Sequence, residues 1–141
     1  MKLREFKGSD FPQLIEWINS DELNYLWGGP TYTFPLTVEQ IHAHCDQDEI
    51  FAYMLDVDGE PAGFVELYKI TETHYRICRV FIADAYRGKG LSKSMLNLLI
   101  DKARLDYSAT KLSLAVFAHN RIARKSYESL GFQSVETEIG S

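Results

Sequence analysis

Apolar residues recur along this chain with two periods, and the switches between them mark its elements. Residues 3–6 form a short strand candidate. Ser9 and Asp10 then precede Phe11, Leu14, Ile15 and Ile18, whose spacing is helical and whose start the two polar residues can cap. Residues 27–35 carry two glycines and two prolines and predict no regular element. Thr37 with Gln40 forms a capping box that opens a helix through about residue 47. Residues 50–57 and 62–68 read as strands joined by an Asp58-Gly59 hairpin turn, and residues 75–82 as a third long strand. A helix over residues 90–106 presents Leu91, Met95, Leu98, Leu99 and Leu105 on one face. Residues 111–117 alternate as a strand, with Leu112, Leu114 and Val116 on one side. A helix over 120–130 ends at Gly131, and residues 132–139 suit a final strand. The order is β-α-α-β-β-β-α-β-α-β. A hairpin meander followed by alternating elements implies an α/β fold of the α+β type: a mixed, mostly antiparallel central sheet with helices on both faces.

With 141 residues, the chain suits one domain spanning 1–141. A net charge of −5 argues against a nucleic-acid partner. Neither a bilayer-spanning apolar run nor a secretory h-region is visible, so no membrane partner is expected. Cys45 and Cys78 fall on different elements without metal-ligand spacing, which predicts reduced thiols, no metal, and a cytoplasmic protein.

The densest chemistry lies in Tyr86-Arg87-Gly88-Lys89-Gly90-Leu91-Ser92, where a strand passes through a basic, glycine-containing loop into a helix. Backbone amides and the positive end of a helix dipole converge there, and both suit a phosphate. The loop lacks the Gly-Lys-Ser/Thr ending of a Walker A motif, and a dinucleotide fingerprint would require a parallel unit before it.

Together with its downstream half, the loop becomes specific. Arg87-x-x-Gly90-x-Ser92 resembles the Arg/Gln-x-x-Gly-x-Gly/Ala loop of the GNAT superfamily of N-acetyltransferases, and Asn120-x-x-Ala123-x-x-x-Tyr127-x-x-x-Gly131-Phe132 resembles its second signature. The resemblance covers nearly the whole chain and implies an acetyl-CoA-dependent N-acetyltransferase working by direct attack through a tetrahedral intermediate. Val80, Phe81 and Ile82 would pair with the pantetheine arm. The amides of Arg87, Gly88, Lys89, Gly90, Leu91 and Ser92 would cradle the pyrophosphate, and Asn120 would contact cofactor or a bound water. Ser92 departs from the Gly/Ala of the pattern, although serine is small and its hydroxyl can reach a phosphate. Tyr127 matches the general acid that protonates the departing thiolate.

The acceptor half is less legible. Some relatives that acetylate protein N-termini place a base where this chain has Ala115. Glu66 is the remaining carboxylate candidate for the base, against the plain alternative of a solvent-facing strand residue. His74 and a water relay are two further options. Trp27, Tyr32 and Phe34 are candidates to contact a small-molecule amine, or else they plug the core beneath a long loop. Acetylation of a protein N-terminus or lysine is the second reading, and a non-catalytic acyl-CoA sensor is a third from another class. Exposed strand edges in such a sheet suit pairing into a homodimer.

Overall fold

The computed structural model describes residues 1–115 and 121–132. Its five strands are β1 (Lys2–Glu5), β2 (Ile50–Val57), β3 (Glu60–Lys69), β4 (His74–Ile82) and β5 (Lys111–Leu114). They lie in the order β1-β2-β3-β4-β5, antiparallel except for the parallel β4–β5 pair. The helices are α1 (Phe11–Trp17), α2 (Asp21–Gly28), α3 (Val38–Cys45), α4 (Leu91–Tyr107) and α5 (Arg121–Ser129). The mixed, mostly antiparallel sheet predicted from the pattern is therefore present. The predicted final strand, the end of the strand over 111–117, and Asn120 lie outside the described residues.

The meander follows from local chemistry. Asp58 and Gly59 both have positive φ, 52° and 82°, the conformation a tight hairpin between right-twisted strands requires. Alternation then sorts side chains to the two faces. Tyr53 and Leu55 of β2 and Val65 and Leu67 of β3 pack under Met95, Leu96, Leu99 and Ala103 of α4. Met54 of β2 and Phe64 of β3 pack on the other face against Phe11, Leu14, Ile18 and Ile41 from the α1–α3 layer. Each fully buried Leu, Phe or Met contributes about 1.5–3 kcal/mol through its area alone.

Three local expectations are corrected. The segment before Gly29 is helical: Ser20 Oγ accepts from Leu23 N at 3.1 Å and starts α2, which runs through Trp27 to Gly28 before a 3₁₀ turn over Gly29–Thr31. The cap at Ser20 outweighs the glycine signal that follows. Leu105 is 78% exposed rather than on the buried face of α4. Six residues beyond Leu99, it is rotated about 240° around the axis at 100° per residue, and Ala103 takes the buried position. Only half of the Thr37–Gln40 box forms. Thr37 Oγ1 accepts from Gln40 N at 3.3 Å, while the Gln40 side chain turns away to bond Thr33 N, Thr33 O and Pro35 O. Gln40 thus ties down the loop that leads into α3.

Asp10 likewise does more than end a turn. Its carboxylate accepts from Lys7 N at 2.8 Å and from Arg4 Nη1 and Nη2 at 2.9 and 3.0 Å, while Arg4 Nε donates to Asp56 at 2.7 Å. One guanidinium therefore joins β1, β2 and the entry to α1. Burial pushes the Asp10 carboxyl up, but Arg4 and the Lys7 amide outweigh it and hold the group below its ordinary range. The contribution is full above the unfolded value of about 3.9 and is lost as pH falls through the lower folded value. Asp10→Asn should lower stability at neutral pH by about 1–3 kcal/mol. In urea titrations across pH, its deficit against wild type should shrink as acid is added below the ordinary aspartate range. A deficit independent of pH would show that the charge contributes nothing.

Candidate active site

The anion loop is built where β4 ends. A 3₁₀ turn (Asp84–Tyr86) carries the chain off the sheet, Gly88 and Gly90 adopt positive φ (78° and 72°), and α4 begins at Leu91. A Cβ at either glycine would meet no atom within 4 Å, so these glycines serve backbone conformation rather than packing. Gly90 caps α4 with no side chain, and the first helical bond runs from Ser94 N to Gly90 O at 3.2 Å. By helix geometry the amides of Leu91, Ser92 and Lys93 have no acceptor within the helix. They face outward at the positive end of a 17-residue helix. A small pocket of about 120 Å³ there is lined by Ile82, Tyr86, Arg87, Gly88, Gly90, Leu91 and Ser92.

Arg87 is held as well as charged. Its Nε donates to Ile82 O at 2.9 Å, its Nη1 pairs with Asp84 at 2.8 Å, and the guanidinium lies 5.5 Å from the Phe81 ring centroid. The loop is thereby closed back on the end of β4. Lys89 stands over the Tyr86 ring at 5.9 Å.

β4 itself changes phase. Its ladder with β3 pairs Phe64 with Phe81 and then Glu66 with Cys78, so two steps on β3 span three on β4. The extra residue makes a bulge. Arg79 within it has φ +50°, a conformation that costs a non-glycine residue about 1–2 kcal/mol. Side chains record the slip. Tyr75 and Ile77 face α4, as do Val80 and Ile82, whereas Phe81 and Ala83 face the α1–α3 layer. On the other edge, the described β4–β5 ladder ends at Ile77–Leu114, while β4 continues to Ile82. The backbone of residues 78–82 on that edge is thus free of ladder partners among the described residues.

Glu66 is not the solvent-facing residue that was one reading of its sequence context. Its side chain is 0% exposed, on the α1–α3 face. Oε1 accepts from Arg79 Nε at 2.6 Å and from His44 Nε2 at 2.9 Å. Oε2 has no partner among the described residues. Burial disfavours the Arg79 charge, but Glu66 outweighs it and leaves the guanidinium more firmly charged than usual. Arg79 Nη1 also donates to Thr31 Oγ1 at 3.2 Å, and Arg79 O accepts from Trp27 Nε1 at 3.0 Å. Sequence reading missed Arg79, His44 and Thr31. The legible sign was a charge at 79, where the alternation of Tyr75 and Ile77 calls for an apolar side chain.

Trp27 and Tyr32 are 8% and 4% exposed and stack in parallel, with centroids 5.6 Å apart. Phe34 is half-buried. Burial, with Glu66 adding to it, pushes the Tyr32 phenol far above its ordinary value. Tyr127, on α5, borders the same apolar cluster as Ile82 and packs edge-on against Phe132, and burial raises its phenol too. It also lines a cavity of about 990 Å³, bounded by the described parts of β4, β5, α5 and the C-terminal half of α4. That cavity shares no lining residue with the loop pocket. His74 bonds Ser113 Oγ at 3.0 Å at the start of β4. It stands six residues before Val80, or about 20 Å along the strand. Burial pushes the Cys45 thiol up to about 12, helped by Glu66, and raises that of Cys78. Neither thiol is therefore a ready nucleophile. Among the described residues, no cluster of three His, Cys, Asp or Glu side chains is placed to hold a metal, and no helix is long and apolar enough to cross a membrane.

Comparison with known proteins agrees with this arrangement. Residues 11–132 match the model of the acetyltransferase (GNAT) family. The spermidine N(1)-acetyltransferase of Escherichia coli K12 is 32% identical over 143 residues, covering 99% of this chain and 75% of that protein. A crystal structure of spermidine N-acetyltransferase from Vibrio cholerae, with CoA and spermine, superposes with a TM-score of 0.82 at 21% identity, covering 96% of this chain and 82% of that one. The structure of AAC(6')-Ib with paromomycin and acetyl-CoA gives 0.78 at 25% identity, covering 94% and 82%. A strand that shifts phase, a glycine loop at a helix start, and a family match from α1 through α5 converge on one assignment: this chain belongs to the GNAT family of acetyl-CoA-dependent N-acetyltransferases.

Proposed function

We propose that this protein transfers the acetyl group of acetyl-CoA directly to the primary amine of a small, cationic molecule. The observation that carries the reading is the junction of β4 and α4, where a strand edge without ladder partners among the described residues runs into uncapped helix amides. CoA has the matching parts in the same order: an amide-bearing arm to pair with a strand and a pyrophosphate to accept hydrogen bonds. The residues present fit it. Val80, Phe81 and Ile82 offer extended backbone, and the amides from Gly88 to Ser92 offer charge-assisted hydrogen bonds around glycines that leave room for close approach. Ser92 sits in the first turn of α4, where its hydroxyl adds a donor and does not block the amides. Asn120 keeps its expected role on resemblance alone.

When bound, acetyl-CoA supplies an acetyl group activated as a thioester. The chain contributes position and protons. Tyr127 Oη keeps its proton through neutral pH, because burial raises its pKa, and we assign it the protonation of the departing sulfur. The raised thiols of Cys45 and Cys78 support direct transfer over an acetyl-cysteine route. Of the three aromatic side chains expected to meet the acceptor, Phe34 retains the most open surface, and the buried Trp27–Tyr32 stack backs the wall behind it. His74 is too far along β4 to serve as the base, so a water relay is the simpler route for the amine proton. The cationic acceptor is supported by the net charge of −5 and by the names of relatives, a spermidine N(1)-acetyltransferase and the aminoglycoside acetyltransferase AAC(6')-Ib.

CoA at about a hundred times its dissociation constant should stabilise the fold by roughly 2.7 kcal/mol, read as a higher Tm. No shift at millimolar CoA would refute the donor assignment. Thiol release should be fastest with polyamines or aminoglycosides. Turnover confined to N-terminal peptides would favour the protein-acetylating reading, and CoA binding with no turnover on any amine would favour a sensor.

Tyr127→Phe should lower kcat by about 10²–10⁴-fold, the usual worth of a general acid, and leave CoA affinity unchanged. In wild type, any falling limb of kcat that belongs to Tyr127 should lie above pH 10, where an ordinary tyrosine ionises. A falling limb below that range, removed by the same substitution, would contradict the raised phenol.

A further inference from the structure

We infer that Arg79 is a positioning residue: held by buried Glu66 and by Trp27, it fixes the β4 bulge that sets the backbone of Val80–Ile82 for CoA. The inference rests on the donor reading proposed above. It assigns Glu66 to support of the donor strand, in place of proton transfer.

The geometry supports this in three ways. First, the bulge needs holding. Arg79 is one of three non-glycine residues with positive φ among those described; the other two, Asp58 and Ser108, lie in a hairpin turn and at the end of α4. Only Arg79 adopts it inside a strand, where the ladder would otherwise favour extended backbone. Second, Arg79 is anchored at both its side chain and its carbonyl by groups outside β4. Nε meets Glu66 on β3 at 2.6 Å, Nη1 meets Thr31 at 3.2 Å, and the carbonyl accepts from Trp27 on α2 at 3.0 Å. His44 on α3 holds the same Glu66 oxygen at 2.9 Å and so restrains the carboxylate from a third element. Third, the cluster is a poor device for stability alone. A buried ion pair gives back much of its attraction in desolvation, and here one carboxylate oxygen has no partner among the described residues.

The bulge is also what a CoA site at this position requires. Without the extra residue, Val80 and Ile82 would turn to the α1–α3 face, and the outward backbone groups of β4 would shift by one residue beside the anion loop. Arg79 therefore joins the wall built from α2 and α3 to the strand on which the donor is to lie.

As a base, Glu66 would have only Oε2 left to accept a proton, since Oε1 already takes two donors. The two roles separate in experiment. CoA affinity would be measured by calorimetry on the full chain for Arg79→Gly, which tolerates φ +50° but loses the anchor, for Glu66→Gln, and for Trp27→Phe, which keeps an aromatic ring but loses the indole N–H and part of the packing on Tyr32 and Phe64. Positioning predicts that Arg79→Gly and Glu66→Gln each weaken CoA binding by about tenfold or more, as small misplacements at a site do. The double variant should be little worse than either single one, and Arg79→Lys should recover part of the loss. Amide exchange at residues 80–82 without CoA should speed up in the same variants. If Arg79→Gly does not fold, Trp27→Phe decides, with a severalfold weaker CoA affinity expected. Unchanged CoA affinity in folded Arg79→Gly or Glu66→Gln, with wild type binding CoA, overturns the inference. Lost turnover in Glu66→Gln at unchanged affinity would make Glu66 the base. Failure of wild type to bind CoA would instead remove the donor reading itself.

Discussion

β4 slips by one residue at Arg79, and the faces that every later side chain of the strand presents depend on that slip. Upstream, Tyr75 and Ile77 pack under α4; downstream, Val80 and Ile82 do so in the opposite parity. The strand can therefore pair with β3 on both sides of the bulge while its far end runs into the anion loop. The slip requires a residue at φ +50°, and a sheet does not hold that conformation without help from outside the strand.

That help comes from the layer opposite α4. The Glu66–Arg79 pair, His44 and the Trp27 indole form a polar cluster in a face otherwise filled by Phe11, Leu14, Ile41, Phe64 and Phe81. Apolar packing alone would hold the layer to the sheet with some freedom to slide. Directional hydrogen bonds to one carbonyl and one guanidinium remove that freedom at a single point, beside the donor strand. Arg87 plays the corresponding part at the strand's end, where its bond to Ile82 O closes the loop onto β4. The two arginines bracket Val80–Ile82, and neither needs to touch a ligand to matter.

The contrast between donor and acceptor halves follows from the kind of group each uses. In the proposed site, CoA would be bound largely by backbone: strand edge, loop amides and helix terminus. Such sites leave clear traces in sequence, because glycines and a strand-to-helix switch must sit at fixed positions. The proposed acceptor wall would be made of side chains on α2, the loop after it and α3. Its aromatic residues are ambiguous between lining a pocket and filling a core, and Trp27 and Tyr32 prove to be mostly buried.

Much of the fold could be read from residue order alone, because strands, helices and the hairpin are set by short-range periodicity and turn chemistry. Asp58-Gly59 forms its turn, β2 to β4 form the meander, and Gly88 and Gly90 mark the loop. Local signals failed where two competed, as at α2, where the Ser20 cap prevailed over the glycines that follow. Glu66 and Arg79, thirteen residues apart, carry no local sign of each other. Only the tertiary structure showed that one is buried, that the other takes a left-handed conformation, and that they meet across β3 and β4. Burial and cross-strand register belong to the packed sheet: a one-residue bulge redirects every side chain beyond it, and alternation in a single strand carries no record of the partner that stabilises the slip.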